Sequence, residues 1–276
     1  MSQTLKLALF GDPVEHSLSP EIHRRFGRQT GIMLDYQAVR CTSQEFGPRF
    51  AAFIVAGGRG ANLTVPLKHA GLGVCEQVAP AARIARAVNT LVRRADGWHG
   101  HNTDGEGLML DLQRLGLDPA GRRVLMIGAG GAAAGVLGPL LDRQPALAVI
   151  LNRTGERAEA LAQKFAHRGV VIGGGFDQAG DLSGFDLLIQ ATSSGHGQTL
   201  PPLDRGWLGG QAAAYDLNYG PAHRPFAQWC EHQSLPCHDG LGMLVGQAAL
   251  AFEIWTGQRP AMAPVLRALR DDPARL

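Results

Sequence analysis

An apolar run that breaks at once into spaced glycines constrains this chain more than any other stretch: Val124-Leu-Met-Ile-Gly128-Ala-Gly130-Gly131-Ala-Ala133-Ala134. Four consecutive apolar residues suit a strand buried on both faces. The small residues that follow suit a helix over 131–142 lying close against that strand. The join reads Gly-x-Gly-x-x-Ala, the spacing by which a strand–turn–helix unit aims its backbone N–H groups at a pyrophosphate. Gly128 permits the tight turn, Gly130 lets phosphates approach the backbone, and Ala133 lets the helix pack on the strand. The glycine pattern alone is weak, because other α/β folds carry glycine-rich turns; the flanking strand and helix strengthen it. Gly128, Ala129, Gly130, Gly131 and Ala132 are therefore the expected dinucleotide-binding turn.

The second strand of that unit, over 147–151, points to the kind of dinucleotide. A free ribose 2′-hydroxyl is usually met by an Asp or Glu at the end of this strand. Here that place holds Asn152-Arg153-Thr154, with no carboxylate before Glu156. The guanidinium of Arg153 suits phosphate oxygens, which an acid would repel. Thr154 offers a hydroxyl and a cap for the next helix, and Arg157 adds positive charge one turn on. The expected cofactor is NADP rather than NAD; a solvated surface role is the plainer alternative for Arg153.

About 115 residues precede this unit, enough for a domain of their own. They alternate strand and helix signals: strands over 5–10, 35–41, 60–65 and 88–94, helices beginning at Ser19-Pro20 with Ser19 as N-cap, and over 46–56 and 81–87. Alternation of this kind predicts an α/β class with a mainly parallel sheet. A helix over 104–115 then leads into the dinucleotide unit, whose strands are expected near 123–127, 147–151, 170–172, 185–190, 212–217 and 235–238. Helices over 240–255 and 263–270 close the chain. The expected organisation is a substrate domain over 1–104, a Rossmann domain over 105–239, and C-terminal helices over 240–276 packing back onto the first domain. Ligands favour the cleft between such domains.

The bulk chemistry excludes several classes. With 26 Lys and Arg against 24 Asp and Glu, and no basic run longer than a pair, nothing favours a nucleic acid or a membrane surface. No apolar stretch approaches a membrane span, and the first ten residues are too short and polar for a signal peptide. The four cysteines, Cys41, Cys75, Cys230 and Cys237, are expected as free thiols in a cytoplasmic protein. Cys230, His232, Cys237 and His238 cluster without a zinc spacing, so no metal is expected.

Four polar clusters stand at strand ends or turns of the first domain. Ser17 and Ser19 flank a helix start, where two hydroxyls and the positive end of a helix suit a small carboxylate. Lys68 follows Asn62-Leu-Thr64-Val-Pro66, and an ammonium placed there can polarise a carbonyl and donate a proton. Asn89, in Ala87-Val-Asn89-Thr90, can bond a substrate hydroxyl, and Asp104 ends His101-Asn-Thr-Asp104. Each has a plainer alternative when taken alone: an N-cap, a surface lysine, a turn residue, a helix cap.

Taken in order, the segments GDPxxHSxSPxxH, NxTVPxK, AxNT, GxNTDGxG and GAGGAA resemble the shikimate dehydrogenase family. Asn152-Arg153-Thr154 is similar to that family's NADP clamp, and Ala191-Thr-Ser-Ser-Gly195 to its post-strand turn. Asp216-Leu-Asn-Tyr219-x-Pro221 and Gly240-Leu-Gly-Met-Leu-Val-Gly-Gln247 extend the likeness, which runs from about residue 6 to 270. The resemblance implies NADPH-dependent reduction of 3-dehydroshikimate to shikimate, in aromatic amino-acid synthesis. It implies Lys68 as the catalytic residue with Asp104 its partner. Ser17, Ser19 and Tyr219 are implied at the substrate carboxylate, and Thr64, Asn89, Asp104 and Gln247 at the ring hydroxyls. Thr192, Leu217 and Gly240 join the cofactor set. Four positions depart from the family's usual residues: Arg24, Gln190, Leu217 and Arg224.

Three rivals follow. A quinate/shikimate dehydrogenase paralogue using NAD would be supported by an acid at 152–154, and none is there. A catalytically silent NADP-binding regulator would lack Lys68 or Asp104, and both are present. A folate dehydrogenase would not need the Ser17/Ser19 pair or the Gln247 helix. Monomer and homodimer both remain open.

Overall fold

The computed structural model describes residues 4–180 and 182–272. The chain forms two compact units: Met1–Gly107 with Val245–Arg275, and Leu108–Leu244. The last residues of the expected C-terminal span, 273–276, lie outside the described residues.

The first unit is built on a six-stranded sheet. In chain order it contains β1 (Leu5–Gly11), α1 (Ser19–Thr30), β2 (Leu34–Arg40), α2 (Phe46–Val55), β3 (Gly60–Leu63), β4 (Gln77–Val78), α3 (Pro80–Ala85), β5 (Thr90–Arg94) and β6 (Gly97–His101). The strand order is β2-β1-β3-β5-β6-β4. Pairs β1/β2, β1/β3 and β4/β6 are parallel, while β3/β5 and β5/β6 are antiparallel. The central strands β1 and β3 are buried on both faces because helices cover both. On one face Phe10 meets Phe46, Phe50 and Phe53 edge-on at 5.6–6.0 Å. A side chain of this size, 1% exposed, contributes about 1.5–3 kcal/mol by its burial. On the other face Phe26 meets Phe252 at 5.8 Å, and the Trp255 indole donates to the Leu91 carbonyl at 2.9 Å.

The second unit holds β7 (Arg123–Ile127), α5 (Gly131–Asp142), β8 (Leu147–Asn152), α6 (Gly155–Phe165), β9 (Val171–Gly175), β10 (Phe185–Gln190), β11 (Leu208–Asp216), α7 (Arg224–His232) and β12 (Cys237–His238). Helix α4 (Asp104–Arg114) leads into it and α8 (Leu241–Thr256) leads out, followed by α9 (Met262–Arg270). Its sheet is parallel throughout, in the order β12-β11-β10-β7-β8-β9. That is the doubly wound Rossmann order, and it places the topological switch between the C-terminal ends of β7 and β10. Within this unit the buried Asp111 carboxylate accepts from Tyr215 Oη at 2.8 Å and Arg114 Nε at 2.7 Å, and the same phenol accepts the Met243 N–H. One phenol thus ties β11 to α4 and to the first turn of α8.

Several local expectations change. Leu18, not Ser19, occupies the N-cap of α1; Ser19 is inside the helix and its N–H donates to Ser17 Oγ. Thr154 does stand at the N-cap of α6, yet its side chain makes no capping bond. Strands β4 and β6 and helix α7 are additions to the elements read from the sequence. Gly-Trp-His-Gly-His has no clear alternation, because Gly100 lies where a Cβ would stand 2.6 Å from Cys75 Sγ. Tight packing, not strand propensity, chose that glycine. The antiparallel pairing of β6 with β5, like that of β5 with β3, makes the sheet mixed.

Candidate active site

Lys68 is positioned by its backbone. Past β3, the Thr64 N–H donates to the Phe10 carbonyl at 2.9 Å and the Leu67 N–H to the Thr64 carbonyl at 2.7 Å, closing a turn. The Lys68 carbonyl then accepts the Val88 N–H at 2.7 Å. From this clamp the Lys68 ammonium donates to Asp104 Oδ2 at 2.6 Å. The side chains are 32% and 17% exposed, so the pair is sheltered but open to a ligand.

Asp104 is the first residue of α4, where a carboxylate is favoured by the helix dipole. Its Oδ1 accepts from Asn89 Nδ2 at 2.8 Å, so each oxygen has its own partner. An ammonium has three N–H donors, and Asp104 takes one. The others can reach a carbonyl oxygen and transfer a proton to it. Asn89 itself is 2% exposed, and both hydrogens of its amide are held by Thr103 Oγ1 and Asp104 Oδ1. As it stands, the amide presents Asp104 more than it offers an open donor.

The first unit also carries Ser17, Ser19, Thr64 and Gln247. Ser17 and Thr64 are half-buried and Ser19 is 6% exposed. Gln247 lies on α8, with its Oε1 at 3.5 Å from Thr103 Oγ1. That placement depends on two glycines. A Cβ on Gly107 would stand 2.5 Å from the Gln247 nitrogen, and one on Gly246 would stand 2.6 Å from the Gly107 carbonyl oxygen. Tyr219 belongs to the second unit.

In the second unit Gly128 has φ +111°, a conformation that side chains rarely adopt, and a Cβ there would crowd Ala191 and Thr192. Gly130 caps α5 without any side-chain capping bond, and no atom lies within 4 Å of where its Cβ or that of Gly131 would be. A twelve-residue helix thus opens onto free space at its positive end, which fits a pyrophosphate. Ala129 and Ala132 lie in the same turn. At the end of β8, Asn152 Nδ2 donates to the Thr154 carbonyl at 2.9 Å. Arg153, Thr154 and Arg157 are exposed beside it, as a phosphate clamp requires.

The loops past β10 and β11 are tightly tied. Gln190 is 1% exposed; its Oε1 accepts the Thr192 N–H at 3.2 Å and its Nε2 donates to Ser194 Oγ at 3.3 Å. This residue, a departure from the family, therefore still closes the Thr192 turn. The Asp216 carboxylate accepts from the Asn218 backbone and side chain and bonds His223 at 3.0 Å. Burial works against charge on His223, but its bonds to Asp216 and Cys237 outweigh this and raise its pKa to about 9. Leu217 sits within this loop, and Gly240 packs on it: a Cβ on Gly240 would stand 2.2 Å from the Leu217 carbonyl oxygen. Of the other departures, Arg24 pairs with Glu21 on α1 and Arg224 opens α7.

Reasoning from sequence gave no role to Tyr36, Asn62, Thr90 or Thr103. Asn62 and Thr90 did carry a signal, as buried polar residues at the end or start of short apolar strands. Among the described residues no group of three or more His, Cys, Asp or Glu is arranged to hold a metal ion.

Comparison with known proteins adds independent findings. Residues 9–91 match the family model described as shikimate dehydrogenase substrate binding domain. Residues 111–198 match shikimate / quinate 5-dehydrogenase, and 240–270 match shikimate 5'-dehydrogenase C-terminal domain. A shikimate dehydrogenase (NADP(+)) of Alkalilimnicola ehrlichii is 47% identical, over 98% of this chain and 100% of its own length. Among solved structures, an Ael1 enzyme from Pseudomonas putida matches with TM-score 0.90 at 36% identity, covering 96% of this chain and 98% of that one. A shikimate 5-dehydrogenase from Thermus thermophilus, in complex with NADP(H) and shikimate, matches with TM-score 0.84 at 33% identity, covering 97% and 99%.

Proposed function

The chain belongs to the shikimate dehydrogenase family of NADP-dependent oxidoreductases, and on that premise we propose that it reduces 3-dehydroshikimate to shikimate, reversibly, in aromatic amino-acid synthesis. The observation that carries this reading is the Lys68–Asp104 pair at 2.6 Å, partly open to a ligand. Bound NADPH supplies the hydride that the ring carbonyl carbon accepts. Gly128, Gly130 and the start of α5 would hold its pyrophosphate, and Arg153 with Thr154 its 2′-phosphate.

The substrate carboxylate is met by the hydroxyls of Ser17 and Ser19. Thr64, Gln247 and Asp104 surround the ring hydroxyls, and Asn89 holds Asp104 in place from behind. As the carbonyl becomes an alkoxide, the Lys68 ammonium stabilises the developing charge and gives it a proton; solvent then restores the lysine. In the oxidative direction the same amine removes the hydroxyl proton. Asp104 anchors the ammonium at one N–H and leaves the others free. No helix among the described residues is long and apolar enough to cross a membrane. The four unpaired cysteines suit a reducing compartment, and we place the enzyme in the cytoplasm.

The direct test is shikimate-dependent reduction of NADP⁺, with quinate and NAD⁺ in parallel. Turnover of shikimate with NADP⁺, and little with the other pairs, is the expected result. Preference for quinate would transfer the reading to a paralogue. Ser17→Ala is expected to raise KM for shikimate about tenfold, the loss of one hydrogen bond to a charged group, with KM for NADP⁺ unchanged. A larger change in the cofactor KM would place the carboxylate elsewhere.

A further inference from the structure

A file of buried polar side chains runs through the first unit and ends on Asp104. Tyr36 Oη donates to Asn62 Oδ1 at 2.7 Å. Asn62 Nδ2 donates to Thr90 Oγ1 at 3.1 Å, and Thr90 Oγ1 donates to Asn89 Oδ1 at 2.9 Å. Asn89 Nδ2 donates to Asp104 Oδ1 at 2.8 Å. Asn62, Thr90 and Asn89 are each 5% exposed or less.

The direction of donation is forced. Asn62 Nδ2 also faces the Asn89 backbone carbonyl at 3.1 Å, which can only accept, so its oxygen must face Tyr36. Asn89 Oδ1 accepts the Thr103 backbone N–H at 2.9 Å, so its nitrogen must face Asp104. Two main-chain groups thus settle both amides, and the hydroxyls of Tyr36, at the end of the file, and Thr90, between the amides, each have one role left. Every donor in the file points toward the carboxylate. Hydrogen bonds aligned head to tail polarise one another, and donors aimed at an anion favour it over the acid.

We infer that Tyr36 is a positioning residue of the active site, acting through Asn62, Thr90 and Asn89 to hold Asp104 as the oriented anion that anchors the Lys68 ammonium. The inference rests on the proposed role of that pair. The surroundings of Tyr36 suit a fixed donor. Its ring stacks on His23 at 4.5 Å with planes 19° apart, and Trp255 tilts against it at 6.2 Å. Burial lowers the His23 pKa to about 3 and raises that of the phenol, so neither gains a charge near neutrality. Helix α8 carries no charged residue before Glu253.

Tyr36→Phe and Thr90→Val each interrupt the file while keeping shape. Each is expected to lower kcat for shikimate oxidation about threefold to tenfold, the scale of one lost neutral hydrogen bond. KM for NADP⁺ stays within about twofold. On an Asp104→Asn background neither change is expected to lower kcat further, since each acts only through that carboxylate; a packing defect alone would add its loss there as well. Because the two residues act in series, the double variant is expected to match Thr90→Val, whereas independent defects would add. Ser19 stands near enough to the phenol to influence it, so a change in the shikimate KM by itself does not count. A further loss on the Asp104→Asn background, or additive losses of the two single variants, overturns the inference. Failure of the underlying reading looks different: unmodified protein would not turn over shikimate, or Lys68→Met would retain full turnover, and the inference would fall with it. Should Thr90→Val fold poorly, Tyr36→Phe alone decides by whether its loss persists on the Asp104→Asn background.

Discussion

Lys68→Met is expected to lower kcat for shikimate oxidation by about 10²–10⁴-fold, the usual worth of a positioned proton-transfer group. Methionine keeps the length and much of the apolar stem of lysine but has no proton to give or take. The loss should therefore fall on the chemical step. KM for NADP⁺ should stay within about twofold, because the residues expected to hold that cofactor belong to the other unit. The fold should survive, since the Lys68 backbone is held by the Val88 N–H and not by its ammonium. Asp104 would lose one partner but keep Asn89 on its other oxygen. Asp104→Asn tests the partner: an amide of the same shape cannot anchor the ammonium as an ion pair, and a smaller loss than that of Lys68→Met is expected. Steady-state kinetics with a melting curve for each variant separates chemistry from folding. Near-normal turnover in Lys68→Met would remove the lysine from the reaction.

How much of this was legible in the sequence depends on the element. The strands β7, β8 and β10 and helix α5 were plain, because strands covered on both faces are uninterrupted apolar runs and the turn between β7 and α5 has a steric requirement that only glycine meets. Strand β6 was hidden because Gly97 and Gly100 are dictated by what packs on them, and His99 and His101 blur the alternation. Lys68 and Asp104 stood out as polar residues at strand and helix ends. Their separation in sequence gives no distance, and only the fold brings them to 2.6 Å. Asn89 shows the opposite limit: its residue type suggested a ligand donor, whereas its burial commits the amide to Thr103 and Asp104. Tyr36 had no signal, since a tyrosine in an edge strand reads as ordinary strand content. Its role comes from three hydrogen bonds between it and Asn89, which no spacing rule encodes.

Arg153→Ala is expected to raise KM for NADP⁺ about tenfold to a hundredfold and to leave KM for NAD⁺ within about twofold, the scale of losing charge-assisted bonds to a phosphate. The argument turns on what surrounds the residue. Arg153 is exposed at the end of β8, and Asn152 bonds the Thr154 carbonyl, which fixes the backbone from which the guanidinium projects. No carboxylate intervenes before Glu156, so nothing in the segment opposes a 2′-phosphate. An exposed arginine at a strand end has little part in folding, and the melting temperature should not change. Arg157, one turn into α6, is the natural control: its charge is nearby but lies beyond the strand end, so Arg157→Ala should have the smaller effect on the NADP⁺ KM. Because the attraction is between exposed charges, the advantage of NADP⁺ over NAD⁺ should shrink as salt rises in the unmodified protein and be nearly independent of salt in Arg153→Ala. Equal losses with both cofactors would instead mean that Arg153 supports the loop as a whole, and the choice of dinucleotide would have to come from another group.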